Sequence, residues 1–190
     1  RGLNTPLLRG KWDLTEGGIR VPFAVTGPGV MKNSQSDTPV VSYDVLPTIF
    51  ELASGSVKGL PEGLDGGSLR DLIEGRSKVV ERPSEYLVFH YPHYNRVGMN
   101  EPHSSIRGGN MKLIRFPVSK RELLFDLSND PGERNNLAVK QKDLVDELDS
   151  ELTKYLLSVD AERPEEVFNW HTTGKSGEIR TRFFQRYEGE

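Results

Sequence analysis

The sequence predicts an α+β fold, with a small four-stranded antiparallel sheet packed against a C-terminal helix. Two observations carry this. Four short runs rich in β-branched, aromatic and aliphatic residues follow one another between residues 85 and 127, separated by glycine, asparagine and proline. Lys142 to Ser158 then places Leu144, Val145, Leu148, Leu152, Tyr155 and Leu156 at helical spacing along one face. Strands followed by one amphipathic helix give a sheet with the helix on one side.

The elements follow in chain order. Ile19 to Val25 reads as a short buried strand, with Pro22 at an edge or bulge. Gly27-Pro28-Gly29 ends it, and Lys32 to Thr38 is a polar surface loop. Asp44 is placed to cap a helix running to about Ala53, with Pro47 in the first turn. Leu46, Ile49, Phe50 and Ala53 form the expected apolar face of that helix. Gly55 to Gly67 is a glycine-rich loop, and Ser68 can cap a short helix over 69–74. The charged stretch Ser77 to Ser84, which contains Pro83, marks a boundary between structural units.

Beyond it, residues 85–91 form the first strand. Residues 104–107 and 111–116 form a hairpin around Gly108-Gly109-Asn110. Residues 122–127 form the fourth strand, and Asn129 to Glu133 a turn. Three regions result: 1–80, 81–160 containing the sheet and helix 142–158, and a polar tail 161–190 with scattered Phe168, Trp170, Phe183 and Phe184.

Composition narrows the function. The chain has 190 residues, 35% hydrophobic and 28% charged, with a net charge of -3. That length buries a real core. The charge balance provides no basic face for nucleic acid or anionic membranes. No apolar run reaches the ~18 residues of a membrane span. With no cysteine, disulfides, thiolate zinc sites and a cysteine nucleophile are excluded, while the compartment stays open.

Lys11 is the strongest candidate for chemistry. It follows Gly10 on a loop, precedes Glu16-Gly17-Gly18, and stands just ahead of the expected strand. A fixed ammonium group there can hold an anion and offset charge on a leaving oxygen. By spacing alone, an isolated lysine in a turn is a solvated residue.

His90 and His93, in His90-Tyr91-Pro92-His93-Tyr94, can hydrogen-bond a sugar or an anion. The alternative is a satisfied histidine at a strand end. No third ligand stands near the pair, so a metal site is not expected there. Asn95, Arg96, His103 and Arg107 could frame the same rim, or be ordinary loop and strand-edge polar residues. Arg20 is expected to pair with Glu16 or a neighbouring carboxylate rather than touch substrate. Asp126 to Asp130 is not a calcium loop, because Pro131 occupies the glycine slot and Leu137 the closing position. Leu7 to Lys11 lacks the first glycine and the Ser/Thr of a phosphate-binding loop.

Residues 8–23, Leu-Arg-Gly-Lys-Trp-Asp-Leu-Thr-Glu-Gly-Gly-Ile-Arg-Val-Pro-Phe, resemble the segment of type I, formylglycine-dependent sulfatases that runs G-K-(two to four residues)-E-G-G-I-R-V-P-F. Trp12-Asp13 departs from it, since a small residue is common there. The likeness continues through Gly27 to Val30, Ser42 to Thr48, Leu64 to Leu69, and Phe125-Asp126-Leu127 with Asp130 to Glu133 and Asn136 to Ala138. It covers roughly Asn4 to Ser158.

The resemblance implies the C-terminal part of an alkaline-phosphatase-like α/β enzyme that hydrolyses sulfate esters. Residues 1–80 would close the large domain, and 81–160 would form the small one. Lys11 matches the lysine that contacts sulfate, and His93 and His90 would lie near the active-site rim. The nucleophile, made from Cys or Ser in C/S-x-P-x-R, has no counterpart in this chain. The resemblance also implies calcium held by residues outside the chain, no metal site within it, and no activity from this chain alone. The implied partners are a sulfated small molecule or carbohydrate and the missing N-terminal part. The alternatives are a phosphodiesterase or phosphonate hydrolase of the same superfamily, and a free-standing carbohydrate- or protein-binding module.

Overall fold

The computed structural model describes residues 4–94, 99 and 101–164. The chain divides into two units, one comprising Arg1–Val21 with Tyr86–Glu190 and the other Pro22–Glu85. The expected boundary near residue 81 thus lies at Glu85, and the first 21 residues join the sheet unit.

In the sheet unit, β1 (Tyr86–Tyr91), β2 (His103–Gly108), β3 (Met111–Phe116) and β4 (Arg121–Asp126) form an antiparallel meander in sequence order. Ile106 pairs with Leu113, and Leu113 with Leu124. Gly109 takes φ 56° in the two-residue connection between β2 and β3, a conformation that glycine adopts freely. The long helix, Lys142–Ser158, occupies the expected residues. Its Val145, Leu148 and Leu152 pack on Ile106, Leu113 and Leu124. Each such side chain, fully buried, contributes roughly 1.5–3 kcal/mol.

The second sheet face is covered as well. Ile114, Phe116, Leu123 and Phe125 pack with Met99, Leu127 and Leu8. Leu8 brings the N-terminal segment onto this face. Burial on both faces explains why Lys112 to Phe116 alternate only loosely in polarity.

The expected strand over 19–25 is not formed. Glu16–Ile19 is instead a single helical turn, α1, and 20–26 carries no strand. Among the described residues nothing pairs with this stretch, and Val21 and Phe23 are 72% and 54% exposed. A run of strand formers without a hydrogen-bonding neighbour has no ladder to join.

In the second unit, a 3₁₀ turn at Ser42–Asp44 leads into α2 (Val45–Ser54), and α3 spans Arg70–Ile73. Asp44 precedes α2 as expected, but its side chain does not cap that helix. It is fully buried and accepts from the backbone N–H of Val41 and Gly67 and from Arg82 Nε at 2.9, 3.0 and 2.8 Å. The buried residues of α2 are Pro47 and Thr48, not the expected apolar set. Leu46 and Ile49 are 53% and 60% exposed. Thr48 Oγ1 faces inward, accepting from the Leu69 N–H at 2.8 Å and donating to the Asp44 carbonyl. Backbone satisfaction, not apolar burial, sets which side of α2 turns in.

The tail residues Phe168, Trp170, Phe183 and Phe184 lie outside the described residues, as do Asn95 and Arg96.

Candidate functional site

Lys11 stands on a loop whose flanks are tied down side chain by side chain. Arg9 Nε donates to Asp13 Oδ2 at 2.7 Å. The Thr15 hydroxyl donates to the Leu8 carbonyl at 2.8 Å. The Met99 N–H donates to Asp13 Oδ1 at 2.6 Å, and the Leu14 N–H donates to His103 Nε2 at 3.2 Å. Further along the same segment, the Glu16 N–H donates to Glu133 Oε2 at 2.7 Å. Asp13, Leu14, Thr15 and Glu16 are all buried, while Lys11 and Trp12 just ahead of them are exposed.

Glu16 enters the deepest polar cluster of the unit. Lys112, on β3, donates from Nζ to Glu16 Oε1 and to Glu133 Oε1, each at 2.9 Å. None of the three side chains is more than 4% exposed. Burial pushes the Glu133 carboxyl above its ordinary range, and the neighbouring Lys112 ammonium opposes that push. The sulfatase-like Glu-Gly-Gly segment is therefore bolted to the sheet through its acid. Its glycines serve close packing: a Cβ on Gly17 would overlap the Leu8 carbonyl, and one on Gly18 the Asp13 carbonyl.

His103 lies under the same loop. It is stacked on Phe116 with ring centroids 5.4 Å apart. Nδ1 donates to the Glu101 carbonyl at 2.8 Å, which leaves Nε2 as the acceptor for Leu14. Burial lowers its pKa to about 4, so the ring is neutral. His103 is thus an anchor of the lysine loop rather than part of an open rim.

Two residues of the loop are strained. Arg9 has φ 61° and Trp12 φ 89°, left-handed backbone that bulky residues rarely adopt. The Trp12 ring lies beneath the lysine, with Lys11 Nζ 4.9 Å from the ring centroid.

The histidine pair stands apart from this loop. His90 Nε2 donates to the Glu162 carbonyl at 2.8 Å, which leaves Nδ1 to accept from the Ser104 hydroxyl at 2.8 Å. By strand alternation His90 belongs to the helix-covered sheet face, and His103 to the opposite one. His93 is half exposed, 3.8 Å from Glu162. Arg107 donates to the Gly109 carbonyl. Arg20 is exposed, and Lys112 takes the place expected for it beside Glu16.

Sequence reasoning missed Lys112, Glu133, Asp13 and His103 as determinants of this loop. The available signal was a lysine amid apolar residues in Met111-Lys112-Leu113-Ile114, since a buried lysine needs carboxylate partners. Among the described residues no group of three or more His, Cys, Asp or Glu could hold a metal ion. None of the described helices is long and apolar enough to cross a membrane.

Comparison with known proteins places these features. Residues 10–162 match the family described as N-sulphoglucosamine sulphohydrolase, C-terminal. A choline-sulfatase of Rhizobium meliloti is 34% identical over 142 residues, covering 73% of this chain and 26% of that protein. Ps i-CgsB in complex with k-i-k-neocarrahexaose superposes with a TM-score of 0.65 at 25% identity, over 97% of this chain and 39% of its own. BT4656, in complex with its substrate D-glucosamine-2-N,6-O-disulfate, gives a TM-score of 0.50 at 25% identity, over 66% of this chain and 25% of its own. The chain spans about a quarter of the length of the curated relatives it matches.

Proposed function

The chain belongs to the sulfatase family, as an N-sulphoglucosamine sulphohydrolase C-terminal domain, and on that premise we propose that its full-length enzyme hydrolyses sulfate esters of carbohydrates, with Lys11 binding the sulfate. The observation that carries this reading is the loop itself. A single ammonium group is presented to solvent directly ahead of a buried segment, Asp13 to Glu16, that is hydrogen-bonded to the rest of the sheet unit. Such a group can bind the sulfate oxygens and offset charge on the leaving oxygen while the S–O bond breaks, without reorganising first. The sulfated glucosamine bound to BT4656 supports a sugar sulfate as substrate.

In this reading the unit Pro22–Glu85 belongs to the large domain of the enzyme, and the sheet unit forms its small one. The nucleophile and a calcium ion are held by residues outside this chain. His93, half exposed, is proposed as a second substrate contact and His90 as its neighbour on the rim.

Lys11→Ala in the full-length enzyme tests the proposal. A sulfated glucosamine and an aryl sulfate should both lose about 10²–10³-fold in kcat, with unchanged melting temperature. Retention of full activity would overturn the role of Lys11. Absence of any sulfate-ester turnover by the unmodified full-length enzyme would overturn the whole reading. His93→Ala with unchanged kinetic constants on the sugar sulfate would remove that histidine from the site.

A further inference from the structure

Trp12 is the feature of the loop that the sulfate-binding reading leaves unused. It is a large aromatic residue, 44% exposed, next to the one residue proposed to hold sulfate. Its backbone is at φ 89°, a conformation that glycine adopts freely and a bulky side chain only under strain. Close to half of its surface stays open to solvent, and the Lys11 ammonium lies over its ring. The flanks do not require the ring either, because the hydrogen bonds that fix the loop come from Arg9, Asp13, Thr15, the Leu14 and Glu16 amides, and the sheet.

We propose that Trp12 is a specificity-determining residue: its indole face receives a ring of the leaving group of a sulfate ester whose sulfate sits on Lys11. This rests on the sulfatase reading and deepens it. The geometry joins the two roles. Lys11 Nζ lies 4.9 Å from the centroid of the Trp12 ring. An anion oxygen hydrogen-bonded to that ammonium, at about 2.8 Å, brings the carbon skeleton behind the ester oxygen alongside the indole. A pyranose C–H face or an aryl ring can stack there, and a short acyclic chain has too little surface to do so.

The same geometry disfavours a quaternary ammonium leaving group. Aromatic faces attract such cations, but Lys11 already places a positive charge against this ring, and two cations a few ångströms apart repel. The ring class selected is therefore neutral or anionic.

The test uses the full-length enzyme and three probes: 4-nitrophenyl sulfate, N-acetylglucosamine 6-sulfate and ethyl sulfate. Trp12→Gly removes the ring and relieves the left-handed backbone, so its melting temperature should rise by about 2–4 °C. Its kcat/KM should fall roughly 10-fold for whichever ring-bearing probe is turned over, mainly through KM, and change less than about 2-fold for ethyl sulfate. Trp12→Phe should retain most of the ring-bearing activity.

An equal loss on ethyl sulfate would show that Trp12 serves only to hold Lys11, and would overturn the proposal. So would a Trp12→Gly variant that melts lower, since the ring would then be structural. Normal kinetics in Trp12→Gly would overturn it while leaving the sulfatase reading intact. If the unmodified enzyme turns over none of the three, the sulfatase reading fails and this proposal with it.

Discussion

Lys112 and Glu16 lie 96 residues apart in sequence, yet their charged ends meet at 2.9 Å inside the protein. Glu133 shares the same ammonium and also accepts the Glu16 amide proton. Removing the lysine strands two buried carboxylates. Lys112→Met should destabilise the chain by about 3–5 kcal/mol, measured by urea denaturation. Adding Glu133→Gln should recover part of the loss, because Glu16 then faces a neutral amide. A near-neutral Lys112→Met would show that the cluster does not hold the loop.

His103 gives the sheet unit an acid sensitivity with a defined sign. Its folded pKa is about 4, against an ordinary value of 6.5. The stabilisation is therefore fully present above pH 6.5. As the pH falls from 6.5 toward 4, the unfolded chain takes up a proton that the folded chain refuses. The loss is on the order of 3 kcal/mol across that window. His103→Gln should flatten the stability profile between those limits, read from denaturation curves at several pH values. An unchanged slope would place the sensitivity elsewhere.

Gly18 should accept no side chain. A methyl group there would overlap the Asp13 carbonyl, which is fixed backbone. Gly18→Ala should cost roughly 1–3 kcal/mol in thermal unfolding, and faster amide exchange at Leu14 should accompany it.

In the second unit, Arg82 closes the shell of the buried Asp44 carboxylate with two donors, Nε at 2.8 Å and Nη2 at 2.6 Å. Arg82→Met should destabilise that unit by roughly 3 kcal/mol or more. Exchange of the Gly67 amide, which Asp44 also accepts, should report the opening. Loss confined to the sheet unit would contradict this assignment.

How legible these arrangements are in the sequence depends on what fixes each one. Helix 142–158 and the four strands follow from periodic apolar residues, since burial against a neighbour close in sequence is written in the spacing. The inward side of α2 does not follow from spacing. It is decided by Thr48 and Asp44 satisfying backbone groups of Leu69 and Gly67, more than twenty residues away. Val21 to Val25 has the composition of a strand, but composition does not supply a partner. Lys11 is conspicuous because it stands in a recognisable segment. Its supports, Lys112, Glu133 and His103, are scattered over distant strands and turns, and only the folded chain shows that they converge.

The distance in sequence between Glu16 and its supports also sets an order of events during synthesis. The Glu16 amide waits for a carboxylate 117 residues later. At about 5–20 residues per second, the ribosome needs roughly 6–23 seconds to deliver it. Over that interval the Glu16 end of the lysine loop lacks its carboxylate partner. Chains that stop before Glu133 carry every residue of the loop and lack the group that locks it. The Glu16 end of the lysine loop is therefore locked only once the chain through Glu133 is available.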